Sequence, residues 1–354
     1  MGGSGTKFLN VLADGGSSGG TEFLEITTAT TTNPTTQTGL TKVSIDMTDV
    51  TTGTVKVNVD GSTIIDTASG ITTRIINPTT SLALVSNDVA FNIQNSTYDT
   101  AFSVYAQERY PHALAFNDDG TKMYTCGDYQ NRIYQYTLSS AYDVSTASYA
   151  SKSFVANSYT HGIFWKPDGT KIYLPRATTD IIYEYSVSVA WDISSTLTQT
   201  ATLDVSSKET NLAGTILNPT GTELYASGGS SDSVNQYSLS TPWDLSTASF
   251  TQAYDVSAQQ TALASTAFND DGTKMFITGT VPKSVFQYSL STAYDVSTAS
   301  YDNKSYDVSA QVLAPNTVIF NPTGTRMYFT GYDGNVYQYD VDGSWTGTAR
   351  ASVG

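Results

Sequence analysis

Short apolar runs recur along the last two-thirds of the chain, each broken by a turn and none at helical spacing. In Phe116-Asn117-Asp118-Asp119-Gly120-Thr121-Lys122-Met123-Tyr124 one apolar run ends at an Asp-Gly turn and a second begins. The text returns around Gly169, Gly221, Gly272 and Gly324, so successive glycines are 49, 52, 51 and 52 residues apart. A second marker keeps this step: Tyr136, Tyr185, Tyr237, Tyr288 and Tyr339 each close a run such as Tyr134-Gln135-Tyr136. The turn residues have a physical reason. Pro presets φ, Asn and Asp bond back to their own backbone, and Gly accepts a positive φ.

Each copy predicts four short strands. Two flank the Gly turn, a third carries the Tyr-Gln-Tyr run, and a fourth carries text such as Ser305-Tyr306-Asp307-Val308-Ser309. Four strands in every fifty or so residues, five times over, predict an all-β fold, a five-bladed β-propeller. Fourth strands are expected near residues 153–156, 202–206, 253–257 and 305–309, and the last copy ends at Val341 without one. Phe102-Ser103-Val104-Tyr105 precedes the first copy. It is expected to complete the last blade and shut the ring, leaving only short outer edges.

The N-terminal third reads differently. Residues 1–20 are Gly/Ser-rich and read as a flexible arm. Val43, Ile45 and Met47 alternate with polar residues, as do Val55, Val57 and Val59, and Asp60-Gly61 marks a hairpin. Residues 21–96 are therefore expected to form a small β-sandwich or β-barrel, residues 97–345 the propeller, and residues 346–354 a C-terminal tail. A domain so small is marginal alone.

Composition narrows the partners. The 354 residues carry 17 Lys and Arg against 32 Asp and Glu, a net charge of −15, which argues against nucleic acid and anionic membranes. No stretch is long and apolar enough to span a bilayer. Met1–Gly20 shows no basic-then-hydrophobic signal, so no signal peptide is expected. The single cysteine, Cys126, excludes an intrachain disulfide and reads as a small buried thiol.

The repeat text, Phe-Asn-Asp-Asp-Gly-Thr-Lys-Met, then Tyr-Gln-Tyr-Ser/Thr-Leu-Ser, then Ala-Tyr-Asp-Val-Ser-Thr-Ala-Ser, resembles propeller repeats encoded by marine bacteriophages, cyanophages among them. It is more distantly similar to surface-layer propeller repeats. The resemblance covers about residues 100–341. It implies a virion surface or fibre protein, made in the host cytoplasm and working outside on the particle. A protein rich in Ser, Thr and Tyr, acidic and without an export signal, fits that setting.

Candidate chemistry is sparse. The innermost strands, around His112–Phe116, His161–Trp165, Ala213–Leu217, Ala264–Phe268 and Asn316–Phe320, contain no Asp or Glu. Glu108 and Glu209 are scattered in loops. A glycosidase pair of carboxylates is therefore not expected, and the chain reads as no enzyme. His112 and His161 hold the same repeat position and should sit on adjacent blades near the axis, opposite Ala213, Ala264 and Asn316. Without a carboxylate or thiol beside them, they read as structural or solvent-facing, and no metal or cofactor is expected. The Asp-rich turns lack an EF-hand pattern and read as ordinary turns.

The turns of one face are nearly identical between copies, whereas the loops of the other differ. Recognition is expected on the irregular face, at Asp128, Tyr129, Asn131, Arg176, Asp180, Asp232, Lys283, Tyr332, Asp333 and Asn335. Exposed tyrosines there suit sugar rings. The expectation is a non-enzymatic virion surface protein: a capsid decoration, head fibre or short tail fibre, oligomeric on the particle. Its N-terminal domain docks on other virion proteins and its propeller adheres to host-surface polysaccharide. A structural cement protein, a glycan-processing enzyme and a bacterial surface or matrix protein stay open as alternatives.

Overall fold

The computed structural model describes residues 91–156 and 159–345, together with six short strand segments before them. The chain divides into two compact units, Met1–Val89 and Ala90–Gly354.

In the first unit Leu9–Ala13 pairs antiparallel with Leu24–Thr28, Lys56–Val57 with Leu82–Ala83, and Ile71–Thr72 with Val85–Ser86. Residues 1–20 are thus not all arm. Leu9, Val11 and Ala13 alternate with other residues, and this run pairs as a strand. The expected hairpin at Asp60-Gly61 and the sandwich or barrel around it lie outside the described residues.

The second unit is a five-bladed β-propeller of five four-stranded antiparallel sheets. From the axis outward the first blade runs Pro111–Phe116, Lys122–Gly127, Arg132–Leu138 and Ala147–Val155. The second starts at Phe164, the third at Leu212, the fourth at Leu263 and the fifth at Thr317. The fifth blade supplies three strands itself, ending with Asn335–Asp342, and the long strand Asn92–Ser103 supplies the fourth. Val336 lies opposite Phe102 and Tyr337 opposite Ala101, so the ring closes as expected. The closing strand begins at Asn92 rather than near Phe102, which carries residues 92–96 into the propeller.

The outer strands also begin earlier than expected. They span Ala147–Val155, Leu197–Asp204, Ala248–Asp255 and Ala299–Asp307. The Asp-Val-Ser text that follows Tyr142 or Tyr294 forms instead a short 3₁₀ turn, with Asp143 or Asp295 accepting from the N–H of Ser145 or Ser297.

The core lies between neighbouring blades, and two polar bolts cross the same seams. In the first, the third-strand Gln or Glu accepts from the N–H of the apolar residue after the capping Asp of the next blade. Gln135 takes Ile193 at 3.2 Å, Glu184 takes Leu245 at 2.9 Å, Gln236 takes Val296 at 3.1 Å, and Gln338 reaches across the closure to Val144 at 3.0 Å. In the second, a buried second-strand tyrosine donates its hydroxyl to a carbonyl of the next blade. Tyr124 bonds Trp191, Tyr173 bonds Trp243, Tyr225 bonds Tyr294, and Tyr328 bonds Tyr142.

Among the described residues the seam from fourth to fifth blade shows neither bolt. Among these residues Gln287 Oε1 has no partner, and Phe276 stands where the others have Tyr. Aromatic packing replaces the bolts: Phe276, Phe320 and Phe91 surround Trp345 within 6.3 Å between ring centroids.

The repeated glycine has a double cause. Gly221 has φ +71°, and a Cβ on it would fall 2.3 Å from the Trp243 ring that covers it. Trp243 itself holds φ 64°, the conformation that folds its ring back over the turn.

Candidate functional site

The irregular face carries the candidate site at its axial mouth. His112 is the second residue of the innermost strand of the first blade, and His161 precedes that of the second. Equivalent repeat positions on adjacent blades bring the two rings into a parallel stack, with centroids 3.9 Å apart and planes 1° from parallel. Ala213, Ala264 and Asn316, the remaining equivalents, line the same depression of about 160 Å³, together with Asn211 and Tyr332.

The sequence reading left the histidines without a carboxylate. The structure supplies Asp128, from the hairpin loop of the first blade. Its Oδ2 accepts from His112 Nε2 at 2.9 Å and its Oδ1 from His161 Nε2 at 3.0 Å. Burial alone would raise the Asp128 carboxyl, but the hydrogen bonds and charges of the two histidines outweigh it and hold it below its ordinary range. Burial pushes the His112 imidazole down, opposed by its bond to Asp128.

Beneath this trio lies Glu108, fully buried. Its Oε1 accepts from the N–H groups of Tyr110 at 3.0 Å and Tyr129 at 2.9 Å, tying the loop before the inner strand to the hairpin loop. Burial raises its carboxyl against these backbone bonds. Glu209 ties the corresponding loops of the third blade, accepting from the N–H groups of Asn211, Ser230 and Ser231. These two acids, set aside as scattered, are equivalent loop clamps.

Around the mouth stand exposed tyrosines. Arg109 lies 4.4 Å over the Tyr129 ring and 5.3 Å from the Tyr105 ring. Tyr332 packs edge-on against His112 at 5.1 Å and Tyr110 at 6.2 Å. Tyr105, Tyr110, Tyr129, Tyr159 and Tyr332 are each between 40% and 51% exposed, and Tyr332 lines the axial depression.

Of the expected site residues, Asp128, Tyr129 and Tyr332 converge here. The others mostly hold the scaffold. Asn131, Asp180 and Asp232 take left-handed backbone in equivalent hairpins, and Asp180 and Asp232 accept from the N–H of Leu212 and Leu263 in the next blade. Arg176 lies flat over Tyr183 at 3.7 Å and donates to the Tyr185 hydroxyl. Asp333 accepts from Tyr337 and from the Asn335 N–H. Lys283 contributes its carbonyl to Val308. Cys126 is buried as expected, its Sγ donating to the Thr160 carbonyl at 3.0 Å, and burial raises the thiol.

Sequence reasoning missed Tyr105, Arg109 and Tyr110. A signal was available. Tyr110-Pro111-His112 and Tyr159-Thr160-His161 share a Tyr-x-His pattern, where the other copies have Asn211-Leu212-Ala213, Ala262-Leu263-Ala264 and Ala314-Pro315-Asn316.

No known protein-family model and no curated protein matches the chain. Solved structures do. One described as a "putative 6-phosphogluconolactonase" from Bacteroides uniformis is similar at 15% identity and a TM-score of 0.39, over 56% of this chain and 55% of that one. A functionally unknown protein from Desulfotomaculum acetoxidans is similar at 12% identity and a TM-score of 0.40, over 62% of each chain. A Lactobacillus plantarum protein is similar at 15% identity and a TM-score of 0.40, over 62% of this chain and 63% of that one. The matched region thus spans less than two thirds of each of these proteins.

Against the expectation of a chain without enzymatic activity, a structure described as an enzyme is among those similar to the chain. The axial mouth does hold a carboxylate, and Asp128 comes from a hairpin loop rather than from an inner strand.

Proposed function

We propose that the propeller is the recognition head of a two-part virion surface protein, and that its irregular face binds a neutral polysaccharide. The supporting observation is the set of exposed tyrosines in the loops of the one face where the blades differ, with Tyr332 lining the axial depression. Tyrosine faces stack on the C–H faces of sugar rings at little cost in side-chain entropy, and their hydroxyls reach sugar hydroxyls. Asp128 and Asn211 add hydrogen-bonding groups at the mouth. A net charge of −15 disfavours polyanions and leaves uncharged glycans as the matching class. The N-terminal unit, a small β domain, supplies the dock on the particle.

The test is calorimetric titration of the full protein with a panel of neutral polysaccharides. Combining Tyr110→Ala, Tyr129→Ala and Tyr332→Ala should weaken binding at least tenfold, because each stacking contact contributes about 1 kcal/mol. The melting temperature should stay within about 2 °C, since all three rings are half-open to solvent. A triple variant that binds like its parent removes this face from the proposal.

A further inference from the structure

The chain has two histidines, and the fold brings both to one carboxylate. We propose that His112, Asp128 and His161 bind one divalent d-block cation of the Zn²⁺ type at the axial mouth. This goes beyond the polysaccharide reading and does not depend on it.

The donor set fits that class. Two imidazole nitrogens and a carboxylate oxygen suit Zn²⁺, Co²⁺ or Ni²⁺ and are poor ligands for Ca²⁺ or Mg²⁺, which take oxygen. The spacing fits too. Ligands about 2.1 Å from a tetrahedral ion stand about 3.4 Å from one another, and the Nε2–Oδ separations here are 2.9 and 3.0 Å. All the ligand atoms lie within 4.8 Å of one another. An ion takes the place of the two shared protons.

The supports are stiff. His112 is on a strand, the His161 N–H bonds the Pro175 carbonyl at 3.2 Å, and Asp128 follows the buried second strand of its blade. One adjustment is needed. Each nitrogen lone pair lies in its ring plane, so the parallel rings must splay for one ion to meet both. His161 is the freer of the two, with 17% of its side chain exposed against 7% for His112, and its χ2 torsion is soft.

The surroundings favour a cation. Glu108, two residues from Tyr110 and bonded to the Tyr129 N–H, buries a second carboxylate beside Asp128, and its Oε2 has no hydrogen-bond partner. Both histidines face the axial depression, which leaves room for water or a ligand atom at the ion's remaining positions.

Having only two histidines makes the test clean. The full protein is labelled with ¹⁵N-histidine and titrated with Zn²⁺ alone, and separately with Co²⁺ followed by its visible absorption. The expected result is one Co²⁺ per chain, displaced by Zn²⁺, with both imidazole signals moving at equimolar Zn²⁺ and neither moving with equal Ca²⁺ or Mg²⁺. His161→Gln and Asp128→Asn should each lower Co²⁺ affinity at least tenfold. Imidazole signals that stay put at saturating Zn²⁺, or Co²⁺ binding equal in His161→Gln and parent, overturn the site. Should His161→Gln fail to fold, the imidazole signals of the parent still decide.

Discussion

Deleting Asn92–Val104 from the full chain is expected to leave the protein insoluble or to lower its melting temperature by 10 °C or more, roughly. The strand carries the outer edge of the fifth blade, and its ladder to Asn335–Asp342 is the covalently distant pairing that makes the ring a ring. Ile93 and Val104 are fully buried at its two ends, in two different inter-blade cores. Losing side chains of that kind costs about 2–5 kcal/mol each when only truncated. About 5 kcal/mol in a domain of this size is on the order of 10–20 °C. The exposed backbone of Asn335–Asp342 would also present an unpaired edge to other chains. Differential scanning calorimetry with a solubility assay measures both effects. A deletion variant that melts within 2 °C or so of the parent would show that the ring is closed by other means.

The polar bolts give a second prediction with its own control. Gln338→Met and Gln287→Met make the same change at the same repeat position. Both lose a bond from the amide nitrogen to an outer-strand aspartate, Asp99 or Asp302. Only Gln338→Met also strands the buried N–H of Val144, which has its bond at 3.0 Å across the closure, because no described group donates to Gln287 Oε1. A buried donor left unpaired costs about 1–3 kcal/mol. Gln338→Met should therefore melt several degrees below Gln287→Met, roughly 2–10 °C. Equal melting temperatures would mean that the bolt contributes nothing to closure.

These features were unevenly legible in the sequence. The blade count, the closure and the histidine pair follow from repeat phase, because equivalent positions on a ring are neighbours in space. Phe276 in place of the repeated Tyr already marked the odd seam. The outer strands were placed too late because Asp-Val-Ser text is shared by two environments. It makes a capped 3₁₀ turn at Asp143 but ends a strand at Asp307. Asp128 was assigned to the irregular face and not to the histidines. Its meeting with His161 depends on how far one hairpin loop leans over the next blade, and repeat phase does not specify that. Asn131, Asp180 and Asp232 looked like variable loop residues, yet their left-handed backbone fixes them as turn formers.

Three cations beside the regular turns, Lys171, Lys274 and Arg326, are held by neighbouring groups. Lys171 donates to Glu184 and to the Trp243 carbonyl, Lys274 to Asp302 and Ser289, and Arg326 to the Tyr142 carbonyl. The recognition proposed for the irregular face is tested most directly by oxidative footprinting of tyrosines. The full protein is labelled with and without a bound neutral polysaccharide. The account predicts protection of Tyr105, Tyr110, Tyr129 and Tyr332, and unchanged labelling of Tyr98 and Tyr149, which are similarly exposed on outer strands. Protection of Tyr98 and Tyr149 with the four mouth tyrosines labelled as before would contradict it.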